Sequence, residues 1–452
     1  MKAGFAKIDI TPRVGVRLFG FGPYLNRYSI AVRDKLWARA MAVSVGKTVL
    51  VLVSCDLILL ELSVTRRIRS LVQKATDLPG KAVMVHCIHT HSGPATARII
   101  GWGDIDHPYM EILPQKIARA CIKAVENLSE VKVSHTEVPC EGIALNREYD
   151  RDAPPLEEVL QDDWRPAKPE RTDTTCHVIK METDGRIVGF LSYFGCHPVV
   201  CCQQTHYIHG DFPGVATNLL EREHPGTVGL FLQGAQGDVN SCVVHKPEQE
   251  SLLALDIIAG RYANSVRRGL QSAVSMEVTS VDCVLREATF TRRKIPLREL
   301  RTMLERYEAD LQRGDASDAD MKIRMATVYV HSLRSLIARS KNDELIKTTT
   351  EVQGFRIGSL KLLAAPFEIF QAIKNEIKSR TRKSISLVMG LTNDCLGYAT
   401  DKEMAKKGGY AAVQVAFMLG QLPFANIYDE LVGELLKIDK ALDMVGETSA
   451  EI

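Results

Sequence analysis

The sequence predicts an α/β protein with a mixed β-sheet core layered with helices. Short runs of β-forming residues alternate with helical patterns through the first half of the chain, as in layered α/β domains. Polar residues follow directly after several buried strands, which is where open α/β sheets place their chemistry. The composition, 45% hydrophobic and 25% charged over 452 residues, is that of a folded globular chain and provides a large core.

The first predicted elements form a hairpin, a helix and a buried strand. Two strands, 38–45 and 48–54, meet at Gly46 and Lys47, which suit a tight turn. Residues 62–75 repeat apolar side chains at helical spacing. A strand over 81–88 then runs directly into the polar segment that starts at His89.

The remaining predicted elements continue this alternation. A helical hairpin, 296–341, carries an amphipathic stripe and a break at 313–315. Asp211 is expected to cap the free N–H groups of the helix at 212–223. The other expected elements are strands at 131–142, 176–181, 189–194, 227–232 and 352–365, helices at 109–128 and 367–378, a surface loop at 150–173 and a solvated loop at 402–407.

Charge and hydropathy exclude several classes of protein. The formal net charge of +2 argues against nucleic acid or an anionic membrane as partner. The longest apolar run, 49–60, is too short and too interrupted to span a bilayer, and the N-terminus lacks the apolar core of a secretory signal. We therefore expect a cytoplasmic protein with a small-molecule substrate and no integral membrane association, while the oligomeric state stays open. The eleven cysteines contain no CxxC pair and are expected to be free and structural.

Three predicted strand ends carry groups that could perform chemistry. His89 and His91 follow one strand, His197 follows a second, and the segment 233–240 follows a third. Neutral imidazole is a common zinc ligand, so His89 and His197 are candidate ligands, and His91 could handle protons beside them. A single histidine taken alone is more often a hydrogen-bonded structural residue than a metal ligand. The other histidines are expected to be structural or on the surface, with His206 and His209 as the first exceptions: His86, His107, His135, His177, His206, His209, His224, His245 and His331.

An ordered set of motifs resembles the neutral ceramidase family in its catalytic domain. The motifs span residues 3 to 412 and are far more specific together than singly. They are Ala3-Gly4-Phe5-Ala6-Lys7-Ile8-Asp9-Ile10-Thr11-Pro12, Asp34-Lys35-Leu36-Trp37-Ala38-Arg39-Ala40, His89-Thr90-His91-Ser92-Gly93-Pro94, Asn146-Arg147 and Gly237-Asp238-Val239.

The resemblance implies one Zn²⁺ per chain held by two histidines, a glutamate and a tyrosine. Carried across by position, the histidines are His89 and His197. Glu368 in Pro366-Phe367-Glu368 matches the glutamate, and Tyr410 after Gly408-Gly409 matches the tyrosine. From the residues alone, Glu368 could instead favour a helix dipole and Tyr410 could anchor a loop.

The chain departs from the family pattern in two places. The family's Gly-Asp-Val-Ser reads Gly237-Asp238-Val239-Asn240 here, with Ser241 one place late, which argues against a serine nucleophile. The resemblance covers only the catalytic domain, and we expect residues 1–452 to form one such domain without the family's C-terminal immunoglobulin-like domain or secretion signal.

These observations predict a zinc-dependent hydrolase that cleaves an amide or ester bond with metal-activated water. His91 is the expected general acid, Arg147 the donor to the substrate or its oxyanion, and Asp238 and Asn240 orient a histidine or hold substrate. Asp238 could also be a purely structural turn residue. A lactonase or carbohydrate esterase would use the same site, and a non-catalytic binding protein that retains the fold is a rival of another class.

Overall fold

β-sheets from three parts of the chain share one central core, and helices cover their outer faces. The computed structural model describes residues 1–150, 154–339, 343–381 and 384–450. The strands are β1 Lys2–Asp9, β2 Ala31–Val32, β3 Trp37–Val45, β4 Thr48–Cys55, β5 Val83–Cys87, β6 Ser129–Glu130, β7 Lys132–Pro139, β8 Ala144–Asn146, β9 Thr175–Thr183, β10 Arg186–Phe194, β11 Tyr207–Ile208, β12 Val228–Gln233, β13 Val239–Ser241, β14 Val274–Ser275, β15 Val281–Thr291, β16 Lys347–Ile357, β17 Leu360–Ala364, β18 Glu368–Ile369, β19 Ile385–Met389 and β20 Tyr398–Ala399. The helices are α1 Leu62–Thr76, α2 His107–Glu126, α3 Leu156–Val159, α4 Asp211–Glu223, α5 Glu248–Ser272, α6 Leu297–Leu311, α7 Met321–Arg339, α8 Gln371–Arg380, α9 Lys402–Lys407, α10 Val415–Met418 and α11 Ile427–Ala450.

The larger sheets have the strand orders β5-β4-β3-β1-β6, β12-β10-β9-β7-β14 and β15-β16-β17-β19. Each contains one parallel pair, namely β4 with β5, β10 with β12, and β17 with β19, beside antiparallel neighbours. The short pairs β2 with β11, β8 with β13 and β18 with β20 link the loops around the sheets. The sheets are therefore mixed, as the sequence predicts.

Alternating side chains give each sheet two buried faces. On β3, Ala38 and Ala40 pack towards α1 and α2, while Met41 and Val43 join the central cluster with residues of the other two sheets. The second sheet packs its outer face against α4 and α5, and the third against α8 and α11. This arrangement places helical layers outside and sheet layers inside.

Most predicted elements are confirmed, including the hairpin at Gly46 and Lys47 and the helical hairpin, whose arms are α6 and α7. The hairpin packs against α10 through an apolar cluster that includes Leu333 and Phe417. Residues 151–153 of the predicted loop and 340–341 of the predicted hairpin lie outside the described residues. The long helices α5 and α11 are absent from the predicted elements.

Four local predictions are wrong. The helix predicted at 367–378 begins only at Gln371, because Glu368–Ile369 pairs with Tyr398–Ala399 as a strand. The predicted solvated loop at 402–407 is the short helix α9, and the loop at 150–173 contains α3. Asp211 lies inside α4 as its first residue instead of before it. Its carboxylate still accepts from one free N–H of the helix, that of Phe212, and also from the N–H groups of Val200 and Cys201.

The eleven cysteines are free thiols; nine are buried, and Cys283 and Cys395 are half-buried. Within the described part of the chain, no helix combines the length and the apolar character needed to cross a membrane.

Candidate metal centre and cavity

The histidines at the predicted strand ends meet in the structure. His89 follows β5, His197 follows β10, and Glu368 lies in the short strand β18, which comes after β17. Each of the strands β5, β10 and β17 belongs to the parallel pair of its sheet. Each side chain thus follows the carboxyl end of a strand that runs parallel to a neighbour, which is where α/β sheets place their functional groups.

The cluster is compact and buried. The Oε2 atom of Glu368 lies 2.8 Å from His197 Nε2 and 3.3 Å from His89 Nε2. His91 Nε2 lies 3.3 Å from His89 Nε2, and His89, His91 and His197 each offer a ring nitrogen within 4.8 Å of the others. Three ring nitrogens and a carboxylate oxygen therefore face one another in a small volume.

Backbone carbonyl groups fix the orientation of two of these rings. His89 Nδ1 lies 2.9 Å from the carbonyl oxygen of Ile58, and His197 Nδ1 lies 2.6 Å from that of Gln236. A carbonyl oxygen only accepts, so each Nδ1 carries the proton and donates. In the neutral rings the lone pair then lies on Nε2 and points into the cluster, which is how metal-binding histidines are held.

Burial lowers the pKa of two of the cluster histidines, His197 and His91. Burial, followed by the charge of Arg147, lowers the pKa of His197 to about 4. Burial and the neighbouring His89 and His197 also hold the pKa of His91 well below its usual value. Burial alone would raise the pKa of Glu368, but its histidine neighbours hold that pKa well below its usual value, so the carboxyl group is ionised.

His89 has a backbone conformation that favours glycine, with φ of +75°. Its N–H donates to the carbonyl oxygen of Leu57 at 2.9 Å, and its ring is held by Ile58. Strained residues of this kind concentrate at functional sites. The strain at His89 is consistent with a ring that must point into the cluster.

Arg147 forms one wall beside the cluster. Its guanidinium donates to the carbonyl oxygen of Gly237 at 2.7 Å and to Asn240 Oδ1 at 3.3 Å, and it lies over the ring of Tyr398 at 5.2 Å. Burial would lower the pKa of Arg147, but the neighbouring Tyr398 and Glu368 raise it, so the group stays cationic. The cluster therefore faces a fixed positive charge.

Asp238 holds the surrounding segments together rather than facing the histidines. Its carboxylate accepts from Asn146 Nδ2 and from the N–H of Gln371, each at 2.8 Å, and its carbonyl oxygen accepts from the N–H of Arg147 at 2.8 Å. Burial raises its pKa to about 6. Of the two predicted roles, the structural one agrees with these contacts, because both carboxylate oxygens are used in positioning the neighbours of Arg147 and Glu368.

Asn240 and Ser241 point in opposite directions, since both lie in strand β13. Asn240 lines the cavity described below. Ser241 is buried, and its hydroxyl accepts from the N–H of Val243. Ser241 is therefore not available as a nucleophile at this site.

Tyr398, which is not among the predicted site residues, contacts the cluster directly. The hydroxyl of Tyr398 lies 3.4 Å from His197 Nε2, and burial raises its pKa well above its usual value. The ring of Tyr410 stacks edge-on at 5.9 Å from that of Tyr398, and Tyr410 is 40% exposed at the cavity wall. The role of Tyr410 as a ligand stays a prediction, and the structure offers Tyr398 beside it. Each tyrosine follows a glycine in the sequence, as Gly397-Tyr398 and Gly409-Tyr410, so this local pattern does not separate the two.

The cluster opens into a cavity of about 300 Å³. Its polar groups include His91, His197, Arg147 and Asn240. Much of its remaining wall is apolar: Phe21, Pro23, Val199, Val244, Met321, Met325 and Met418. A narrow recess of about 30 Å³ continues behind the cluster between Phe19, Leu59 and Trp102. An apolar cavity with a few convergent polar groups is the usual form of a small-molecule site.

Comparison with known proteins agrees with this architecture. The model of the neutral/alkaline non-lysosomal ceramidase family, N-terminal part, matches residues 1–252. Among solved structures, the chain is similar to a neutral ceramidase from Pseudomonas aeruginosa, with 19% identity and a TM-score of 0.72 over 97% of this chain and 75% of that one. It is also similar to a ceramidase complexed with C2, with 18% identity and a TM-score of 0.73 over 98% of this chain and 75% of that one. These comparisons confirm the predicted resemblance and the α/β fold.

Proposed function

Since the chain belongs to the neutral/alkaline non-lysosomal ceramidase family, we propose that it is a zinc-dependent hydrolase that cleaves the amide bond of an N-acylated substrate. His89, His197 and Glu368 would hold the ion, with Tyr398 or Tyr410 as a fourth ligand. An ester is the second bond type that the same site would cleave.

The observation that supports the proposal best is that the acceptor atoms of His89, His197 and Glu368 point at one another. The Nε2 atoms of His89 and His197 both face one carboxylate oxygen of Glu368, while each Nδ1 proton is committed to a backbone carbonyl. Three atoms that can accept therefore face one another, and a metal cation bound between them would offset their mutual repulsion. Two imidazoles and a carboxylate form a donor set that zinc uses in catalytic sites.

A bound zinc ion would lower the pKa of a coordinated water towards about 7 and polarise the substrate carbonyl. The chain's own residues supply the rest. Arg147 is held by Gly237 and Asn240, so its charge is fixed before substrate arrives and can stabilise negative charge that develops on the substrate oxygen. A preorganised charge of this kind costs no rearrangement during the reaction.

His91 would move the proton. Its pKa is lowered by burial, so it is neutral at pH 7 and must take a proton before it can give one. We propose that His91 Nε2 accepts a proton from the attacking water. His91 then donates this proton to the nitrogen atom of the leaving group. This order refines the predicted role of general acid.

The cavity favours a substrate with an apolar part. Met321 and Met325 of α7 and Phe21 line the space in front of the cluster, and unbranched methionine side chains adapt to irregular apolar groups. A small lipid-like acyl compound suits this wall. A cytoplasmic location is proposed on the sequence alone, and separating cell fractions tests it.

The proposed function is tested by assaying one preparation of the purified protein on a set of matched substrates. The purified protein is assayed on an N-acyl amine, the corresponding acyl ester, a lactone and an acylated sugar, before and after a chelator and after Zn²⁺ is added back. We expect amide hydrolysis that disappears with the chelator and returns with zinc, is absent in His197→Gln and is unchanged in His107→Gln, a substitution of an exposed histidine.

Other outcomes identify the rival functions. Hydrolysis of only the lactone or the acylated sugar would replace amidase with esterase activity at the same site. Ligand binding without turnover on any substrate would favour a binding protein that retains the fold.

A further inference from the structure

Two neighbouring strands carry a second group of metal-binding side chains. β7 and β9 are antiparallel, and their register places Glu137 opposite His177 and His135 opposite Ile179. Side chains two residues apart on a strand share a face, so His135 and Glu137 lie on the same face as His177. None of the three belongs to the cluster around Glu368.

The side-chain atoms converge at distances suited to one ion. His135 Nε2 lies 3.2 Å from His177 Nδ1, and Glu137 Oε1 lies 3.7 Å from the same nitrogen. One ligand atom from each residue falls within 4.8 Å of the others. Two nitrogens that each lie 2.0–2.1 Å from a tetrahedral zinc are separated by about 3.3 Å, which is close to the spacing found here.

We propose that His135, Glu137 and His177 form a second site for a divalent transition metal, with Zn²⁺ as the preferred ion. Two imidazoles and one carboxylate supply three ligands, and a fourth position is left for water. Glu137 is 51% exposed and His177 is buried, so the site opens to solvent on the side of Glu137.

Nearby charged residues affect how tightly this site would bind a cation. Lys374 and Lys378 act electrostatically on His177 and oppose a cation. Asp173 forms an ion pair with Lys374 and offsets part of that charge. The site is therefore weaker than the buried cluster, where Glu368 meets two histidines directly.

An ion at this position would join β7 to β9, which lie side by side in the sheet that leads to His197. A ligand that binds only the folded chain stabilises it in proportion to its affinity and concentration. The consequence is a zinc-dependent gain in thermal stability that is separate from catalysis.

Equilibrium dialysis against Zn²⁺, followed by elemental analysis, tests the proposal. Wild type is compared with His135→Gln, with Glu137→Gln as a variant at a largely exposed position, and with the control His107→Gln. We expect two equivalents in wild type and in the control. The His135 variant should bind the weaker equivalent about a hundredfold less tightly while keeping the tighter one and its hydrolytic activity.

The same dialysis on His197→Gln separates this proposal from the proposed function, because that variant should lose the tighter equivalent and keep the weaker one. A wild type that binds a single equivalent, lost in His197→Gln, would mean that His135 and His177 only share a hydrogen bond. Binding of both equivalents by His135→Gln and Glu137→Gln with unchanged affinity would likewise overturn the second site.

Discussion

Gly20 keeps open the space that the His91 ring occupies. Its φ is +114°, and a Cβ built at this position would lie 2.6 Å from His91 Nδ1 and 2.8 Å from His91 Cβ. Ordinary contacts begin at about 3.4 Å, so Gly20→Ala must push the ring away by roughly 0.8 Å. The opposite nitrogen, Nε2, is the one that lies 3.3 Å from His89 Nε2.

The expected effect is a loss of catalysis with limited loss of stability. A displacement of about 1 Å in a reacting group can lower the rate by about a hundredfold, and we expect kcat/KM to fall by that amount. The positive φ adds a cost of about 1–3 kcal/mol in the free energy of unfolding. If His91 only moves a proton, Gly20→Ala should keep the zinc equivalent held by His89, His197 and Glu368.

Gly15→Ala provides the matched control. Gly15 has a φ of +92°, and a Cβ there would meet nothing within 4 Å. The two variants therefore share the backbone cost and differ in the contact with His91. Hydrolysis is measured by steady-state kinetics and stability by urea denaturation. Equal kcat/KM in the two variants would refute the role of His91, and loss of zinc in Gly20→Ala alone would make His91 a ligand.

Three further predictions concern the metal ligand, acid stability and the buried ion pairs. Tyr398→Phe should weaken zinc binding measured by competition with a chelator, while Tyr410→Phe should not; the reverse order would restore Tyr410 as the ligand. Burial lowers the pKa of His86 from 6.5 to about 3. Between these two pH values the unfolded chain binds the proton and the folded chain does not, so the free energy of unfolding falls as the pH drops from about 6.5 to 3. In His86→Gln the slope of unfolding free energy against pH between 5.5 and 4.5 should be smaller by about 1.4 kcal/mol per unit, and an unchanged slope would contradict the assignment. Arg39→Met leaves the buried carboxylate of Asp56 without its cationic partner and leaves Glu221 with Lys7 alone, so it should cost about 3–5 kcal/mol in urea denaturation. Lys35→Met at an exposed pair should cost less than about 1 kcal/mol, and similar losses in both variants would refute the reasoning.

Buried strands and their polar ends were predictable because both are local. The strand ending at Cys87 and the one ending at Phe194 are rich in apolar residues, and the histidines that follow them stand out in the sequence. The alternation of helix and strand likewise predicted the layered fold. These features depend on residues that are close together in the chain.

The rest depends on contacts between distant segments. Nothing near Glu368 predicts its role, which came only through the family resemblance, and its strand exists because it pairs with Tyr398–Ala399. The proximity of His135 to His177 depends on the register between β7 and β9, which the sequence does not reveal. Helix α9 is too short and too charged to show an apolar periodicity, although Asp401 caps it by accepting from the N–H of Met404.

The central claim is that hydrolysis depends on an ion held jointly by His89, His197 and Glu368. The most direct test measures zinc content and amide hydrolysis on the same samples of wild type and Glu368→Gln, which keeps the size of the side chain but removes its charge. We expect Glu368→Gln to contain one zinc fewer per chain, to lose hydrolysis and to keep its fold by circular dichroism. A folded Glu368→Gln with full zinc content and full activity would contradict the account.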